Sequence, residues 1–178
     1  MRNTRLGLTF LVVFLLLLLN ACAYTQHSLS PNNSQRERPS LSDAFCVMLA
    51  SDGAYGSTIY SGSGRTVSNR ILFSVRQKRP LTQLVETTDE DQAIQQCSAK
   101  GANYLLSPQI LHWEDRATQW SGMRDHVKIE IRLIKVDPKT FVRSAFFEAR
   151  NNWFTFVNAD PSELLNESFD QVIADIIE

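Results

Sequence analysis

A strict alternation of apolar and charged residues constrains the fold of this chain most. Val127, Ile129, Ile131 and Leu133 alternate with Lys128, Glu130 and Arg132. Successive side chains of a β-strand point to opposite faces, so the pattern predicts a strand with one buried face and one solvated face. A sheet built around such a strand must cover its apolar face with other elements, which the remaining segments supply.

The other segments predict strands and helices in a regular order. Strands are predicted at residues 44–49, 81–87, 103–113 and 141–150, and helices at 65–78, 88–101 and 160–177. The resulting order, β-α-β-α-β-β-β-α, predicts a single α/β domain with a mixed sheet and helices packed on it. The first strands are expected to be parallel neighbours joined by right-handed crossovers, and the later ones antiparallel hairpins. This topology resembles the TolB N-terminal domain and the lipoproteins that activate penicillin-binding proteins, and such a likeness does not define function.

The first 22 residues have the three parts of an export signal. Arg2 and Arg5 are basic, and residues 8–19 form an apolar run of about a dozen residues, which is short for a membrane span. The run ends in Leu-Asn-Ala-Cys22, which resembles the lipobox of bacterial lipoproteins. The resemblance implies cleavage before Cys22 and its acylation with fatty acids such as palmitate. The alternative is an uncleaved signal anchor, in which Asn20 would fit poorly.

Three regions follow from this signal. Residues 1–21 are expected to be the signal peptide, residues 22–42 a lipidated N-terminus with a disordered polar tether, and residues 43–178 a periplasmic α/β domain. Cys22 is followed by Ala23 rather than Asp. By the sorting pattern of bacterial lipoproteins, this implies a lipid anchor in the outer membrane, facing the periplasm.

Composition excludes one class of partner and leaves others open. The formal net charge of the 178 residues is −1, whereas a nucleic-acid-binding domain needs a basic surface. We therefore expect no nucleic acid as a partner. No cofactor is expected either, because nothing in the chain resembles a phosphate loop or a dinucleotide fingerprint. The expected partners are the membrane, through the lipid, and an envelope protein. The sequence leaves the oligomeric state undetermined.

Two cysteines remain if Cys22 is lipidated. Cys46 lies in a predicted strand and Cys97 in a predicted helix, and the periplasm permits a disulfide between them. The alternative is that both are small buried residues with free thiols. The chain has no Cys-x-x-Cys motif, and its histidines lack the spacing of a zinc site, so no metal ligands are predicted.

A long aromatic segment carries the resemblance to a family. Residues 104–122 read YLLSPQILHWEDRATQWSG. They resemble the signature of a bacterial lipoprotein family known only as a domain of unknown function. That resemblance implies an envelope lipoprotein, and it brings no activity, cofactor or catalytic residue to transfer.

The same segment contains the residues predicted to bind a partner. Trp113, Glu114, Arg116 and Trp120 combine aromatic rings with charges, and Trp and Arg are enriched in interface hot spots. The loop from Tyr55 to Gly64 is the second candidate surface. The structural alternative is that the tryptophans cap the core and that Arg116 pairs with Glu114 or Asp115.

The sequence evidence for catalytic or phosphate-binding residues is weaker than that for a partner-binding patch. His112 and Glu114 share one face of a strand, but no nucleophile motif accompanies them and no third metal ligand is evident in sequence. Gly62-Ser63-Gly64 precedes a helix and could hold an anion on backbone N–H groups, or could simply be flexible backbone. No catalytic residue is predicted. We expect a non-enzymatic accessory factor, with an envelope glycan- or lipid-binding module as the alternative and a hydrolase as a third hypothesis.

Overall fold

A computed structural model describes residues 24–31, 38–115, 125–150 and 160–178, the first of these as a backbone strand. Cys22, Arg116 and Trp120 therefore lie outside the described residues, as does the predicted signal peptide. Within the described part of the chain, no helix has both the length and the apolar character needed to cross a membrane.

The elements follow the predicted order, with one strand added before it and a small hairpin inserted. The strands are β1 Tyr24–Pro31, β2 Phe45–Met48, β3 Ala54–Tyr55, β4 Thr58–Ile59, β5 Gln83–Val85, β6 Tyr104–Glu114, β7 His126–Lys135 and β8 Thr140–Arg150. The helices are α1 Ser63–Lys78, α2 Glu90–Ala99 and α3 Glu167–Ile177, the last preceded by a 3-10 turn at Pro161–Leu164. β3 and β4 form a separate two-stranded hairpin.

The main sheet is mixed, as the sequence predicts. Its six strands lie in the order β1-β8-β7-β6-β2-β5. β2 is parallel to both β5 and β6, whereas β6, β7 and β8 form antiparallel pairs. The parallel pairs are joined through α1 and α2, because parallel neighbours need a crossover connection. The predicted α/β class is confirmed.

The helices form layers on both faces of the sheet. α1 and α3 cover one face, where the larger core includes Val67, Ile71, Phe147 and Phe169. α2 covers part of the other face, where Ala93 and Cys97 pack with residues of the parallel strands. α2 is only ten residues long and packs against β2, β5 and β6. Among the described residues, no helix covers the antiparallel end of this face.

β1 differs from the predicted tether. Tyr24–Pro31 pair antiparallel with β8, from Tyr24 opposite Arg150 to Pro31 opposite Arg143. A structureless segment over residues 22–42 was expected because these residues are polar and lack hydrophobic periodicity. An edge strand does not need that periodicity, since its backbone hydrogen bonds to the free edge of β8 can be made by polar residues.

The glycine-rich approach to α1 holds a carboxylate of the chain itself. The backbone N–H groups of Gly62 and Gly64 donate to Oδ1 of Asp52 at 3.1 and 2.9 Å. Asp52 thus takes the position at the start of the helix that an external anion would need. Gly64 is required by packing, because a Cβ there would lie 2.2 Å from the carbonyl oxygen of Ala50. These contacts favour the structural interpretation of the motif over phosphate binding.

Cys46 and Cys97 meet in the smaller core. Both are fully buried free thiols, one on β2 and one on α2, which agrees with the second of the two alternatives. The hydrogen bond to Cys46, together with burial, raises the pKa of the Cys97 thiol.

The C-terminal region contains a 3-10 turn and a helix rather than one long helix. Asp160 caps the 3-10 turn by accepting a hydrogen bond from Ser162 N, as its position before Pro161 predicts. Asn166 then caps α3 by accepting from Ser168 N. The predicted single helix over 160–177 is thus wrong at its start, because Asn166 provides a second capping residue.

Candidate functional site

A β-bulge at the end of β6 sets the orientation of the candidate site. Ile110 pairs with Ile129 and His112 pairs with Lys128, so Leu111 is an extra residue on β6. Before the bulge Leu106 faces the larger core, and after it Trp113 does. His112 and Glu114 therefore lie on the opposite face, beyond the part covered by α2. Bulges commonly redirect side chains in this way near functional sites.

Four side chains from three strands meet on this face, where none of the described helices lies. Nε2 of His112 lies 3.0 Å from Oε2 of Glu114, and Nε2 of His126 lies 2.9 Å from Oε1 of Glu148. The two imidazole rings are 4.2 Å apart between centroids. One ligand atom from each of His112, Glu114 and His126 lies within 4.8 Å of the other two. We call these three residues and Glu148 the His–Glu cluster.

The His–Glu cluster is half-buried and remains reachable from solvent. Side-chain exposures run from 13% for Glu114 to 25% for His112. Burial lowers the pKa of His126, and the positive charges of His112 and Arg150 act in the same direction against the opposing effect of Glu148. Burial also opposes ionisation of Glu148, but His126, Lys128 and Arg150 outweigh it and lower the pKa of that carboxyl.

The β3–β4 hairpin lies beside the cluster and belongs to the second candidate loop. The ring of Tyr55 contacts the ring of His112 edge-on at 5.1 Å. The backbone N–H of Asp115 donates to the hydroxyl of Tyr60 at 3.4 Å. Gly53 lies so close to Trp113 that a Cβ at position 53 would stand 2.5 Å from the Trp113 Cβ. The loop from Tyr55 to Gly64 therefore adjoins the described end of β6.

The residues of the predicted partner-binding patch lie in different parts of the structure or outside its described residues. Trp113 is only 4% exposed and lies in the larger core, which agrees with the structural alternative and removes it from the surface. Glu114 lies in the His–Glu cluster. Arg116 and Trp120 are outside the described residues, so their place in a patch stays a prediction.

The sequence pointed to half of the cluster. It placed His112 and Glu114 on one face, which is confirmed, and found no third metal ligand. The structure adds His126 as a third candidate, because it lies opposite Glu114 across the β6–β7 pair. The signal available in sequence was weak: His126 begins a predicted strand, but the register that joins it to Glu114 depends on a β-bulge.

A comparison with models of protein families identifies the family of this chain. The family model described as a domain of unknown function, DUF4823, matches residues 41–176. The chain belongs to the DUF4823 family. This confirms the family resemblance inferred from residues 104–122. No curated protein matches the sequence of this DUF4823 member.

Two solved structures of PelC share the fold of this DUF4823 domain at low sequence identity. PelC from Paraburkholderia phytofirmans, solved as a dodecamer, aligns with a TM-score of 0.60 at 15% identity over 86% of this chain and 95% of its own. A point variant of the same PelC, also a dodecamer, gives 0.59 at 15% identity over 86% and 99%. Lipoprotein GNA1162 from Neisseria meningitidis gives 0.45 at 10% identity over 75% and 97%. At such identities, the PelC alignments show a common fold.

Proposed function

We propose that this protein is a lipoprotein of the bacterial outer membrane, facing the periplasm, which acts as a non-enzymatic accessory factor by binding another envelope protein. The observation that carries the proposal is the Leu-Asn-Ala-Cys22 sequence at the end of the apolar run. A single acyl chain binds a membrane only marginally, so the several chains of a lipoprotein cysteine are needed for lasting attachment.

The position of β1 supports a definite orientation for an anchored domain. β1 begins at Tyr24, two residues after Cys22. Tyr24 pairs with Arg150, Arg150 with His126, and His126 with Glu114, so these residues form one row across the end of the sheet. A lipid on Cys22 would hold this end of the sheet close to the membrane. In this proposal the domain rests near the headgroups instead of standing off on a long tether.

Self-association is the second part of the proposal. PelC, whose fold this chain shares over most of its length, was solved as a dodecamer. Repeated copies held in one membrane plane by their lipids would also have a high effective concentration for one another. An assembly of copies would present several identical surfaces to the envelope partner.

Crosslinking in cells tests the proposal. Two differently tagged copies of the full chain would be produced together, crosslinked, and captured through one tag for mass spectrometry. We expect the second tag and one dominant envelope protein to be recovered from the wild type. Cys22→Ala, which removes the thiol that would be acylated, should lose both. Trp120→Ala should lose the envelope partner and keep the domain folded. Recovery of only abundant bystanders, equal in all three samples, would contradict the proposal.

A further inference from the structure

The His–Glu cluster has the composition of a metal site of a particular kind. Imidazole nitrogens suit zinc, copper, iron and nickel, whereas calcium and magnesium prefer sites made of oxygen alone. Two histidines and one carboxylate are also a ligand set that zinc uses when a fourth position is left for water. The chemistry of the three side chains therefore favours a first-row transition ion.

The spacing of the cluster is close to what such an ion needs. Ligands about 2.0–2.2 Å from a tetrahedral zinc ion stand about 3.3–3.5 Å from one another. His112 and Glu114 are separated by 3.0 Å between Nε2 and Oε2, and all three ligand atoms fall within 4.8 Å of each other. An ion would therefore need to draw the ligand atoms together from at most 4.8 Å to about 3.3–3.5 Å. The backbone supports them, because Glu114 and His126 are directly opposite in the antiparallel pair.

The surroundings of the cluster also match those of a metal site. Metal-binding histidines usually have a carboxylate or carbonyl on the other ring nitrogen, which fixes the ring orientation. Glu148 lies 2.9 Å from Nε2 of His126, so it would have this role if Nδ1 of His126 is the metal ligand. Lys128 and Arg150 approach Glu148 at 3.7 and 3.1 Å and offset its charge. The exposures of 25% for His112 and 16% for His126 leave an approach for an ion from solvent.

We propose that His112, Glu114 and His126 bind one divalent transition-metal ion of the Zn²⁺ type, with Glu148 as the residue that orients His126. The ion would join β6 to β7 at the end of the sheet where β1 begins. The metal site requires neither the lipid anchor nor an envelope partner, so its test is independent of the test of the proposed function.

Metal binding by the purified full chain tests this proposal. The protein would carry a tag without histidine, be stripped with EDTA, and be titrated with Zn²⁺ by calorimetry and by competition with a chromophoric chelator. We expect one Zn²⁺ per chain. Each of His112→Gln, Glu114→Gln and His126→Gln should weaken binding by at least about 100-fold, since loss of a ligand's hydrogen-bond partner alone costs about 10- to 100-fold. His27→Gln changes the third histidine of the chain and should bind like the wild type.

Two results of the Zn²⁺ titrations would overturn the proposal. The first is a wild-type protein that takes up no Zn²⁺ at all, and the second is binding that any one of the three ligand variants leaves unchanged. Circular dichroism in EDTA establishes whether each variant folds. If a variant does not fold, Co²⁺ bound to the wild type decides. An intense visible band is expected for four or five ligands that include nitrogen, and the weak spectrum of hydrated Co²⁺ would contradict the site.

Discussion

Glu114 and His126 lie directly opposite each other across β6 and β7, at the last ladder position of that pair. Residues in this relationship have Cβ atoms about 4.5–5.5 Å apart, so a carboxylate and an imidazole placed there are held together by the backbone. His112, two residues before Glu114, completes the group from the same face of β6. The geometry of the His–Glu cluster thus depends on the register between β6 and β7.

The first prediction concerns the residue that orients His126. Glu148→Gln removes the charge beside the His126 ring and keeps a side chain of similar size, so we expect Zn²⁺ affinity to fall about 10-fold. Glu130→Gln is the matched control, because Glu130 is a carboxylate on β7, four residues after His126. Competition with a chromophoric chelator measures both. Equal affinities for the two variants would show that Glu148 has no orienting role.

The second prediction is that stability without metal decreases at mildly acidic pH. The pKa of His126 is lowered from its ordinary 6.5 in the folded protein, mainly by burial. The unfolded chain therefore takes up the proton at a higher pH than the folded chain, and the free energy of unfolding falls as pH drops below about 6.5. Among the described residues, the titratable or charged side chains around the ring include His112, Glu114, Glu148, Lys128 and Arg150.

Urea unfolding in EDTA at pH 7.5 and 5.5 measures this effect. His126→Gln replaces the ring with a side chain that does not titrate, so the loss of stability between the two pH values should be smaller than in the wild type. An unchanged loss in this variant would show that other groups cause the acid sensitivity.

The third prediction compares how much Trp113 and Leu111, the two apolar residues at the bulge, contribute to stability. Trp113 is buried in the larger core, whereas Leu111 is 42% exposed. Trp113→Ala should lower the free energy of unfolding by about 3–5 kcal/mol through lost burial and a cavity. Leu111→Ala should cost less than about 1 kcal/mol. Urea denaturation compares them, and a small effect at Trp113 would place that ring at the surface after all.

The fourth prediction concerns Gly64 at the start of α1. Glycine to alanine within a helix normally stabilises by about 1 kcal/mol. At position 64 the added Cβ would stand 2.2 Å from the Ala50 carbonyl oxygen, so we expect a loss of about 1–3 kcal/mol instead. Asn69→Ala, on an exposed position of the same helix, should change stability by no more than about 0.7 kcal/mol. A stabilised Gly64→Ala protein would contradict the close approach of α1 to the end of β2.

The sequence predicted the elements that have strong periodicity or capping signals. The alternation from Val127 to Leu133 located β7, and the apolar run around Cys46 located β2. Asp160 was placed as a cap, and it caps the 3-10 turn. These features are local, so a single sequence contains the information that defines them.

Features that depend on pairing between distant residues were missed. β1 is held by the edge of β8, about 120 residues later, and its own residues have no strand pattern. The extra residue Leu111 cannot be recognised without knowing that Ile110 and His112 face Ile129 and Lys128. For the same reason His126 was not associated with His112 and Glu114, and the sequence left open whether Trp113 belongs to a binding surface or caps the core.

The most direct test of the central claim, anchorage through Cys22, is the intact mass of the protein extracted from membranes. The account predicts a chain that begins at Cys22 and carries three acyl groups, with residues 1–21 removed. Cys22→Ala should keep those residues and carry no lipid. A wild-type chain that still begins at Met1, or that is cut elsewhere and carries no lipid, would contradict the claim.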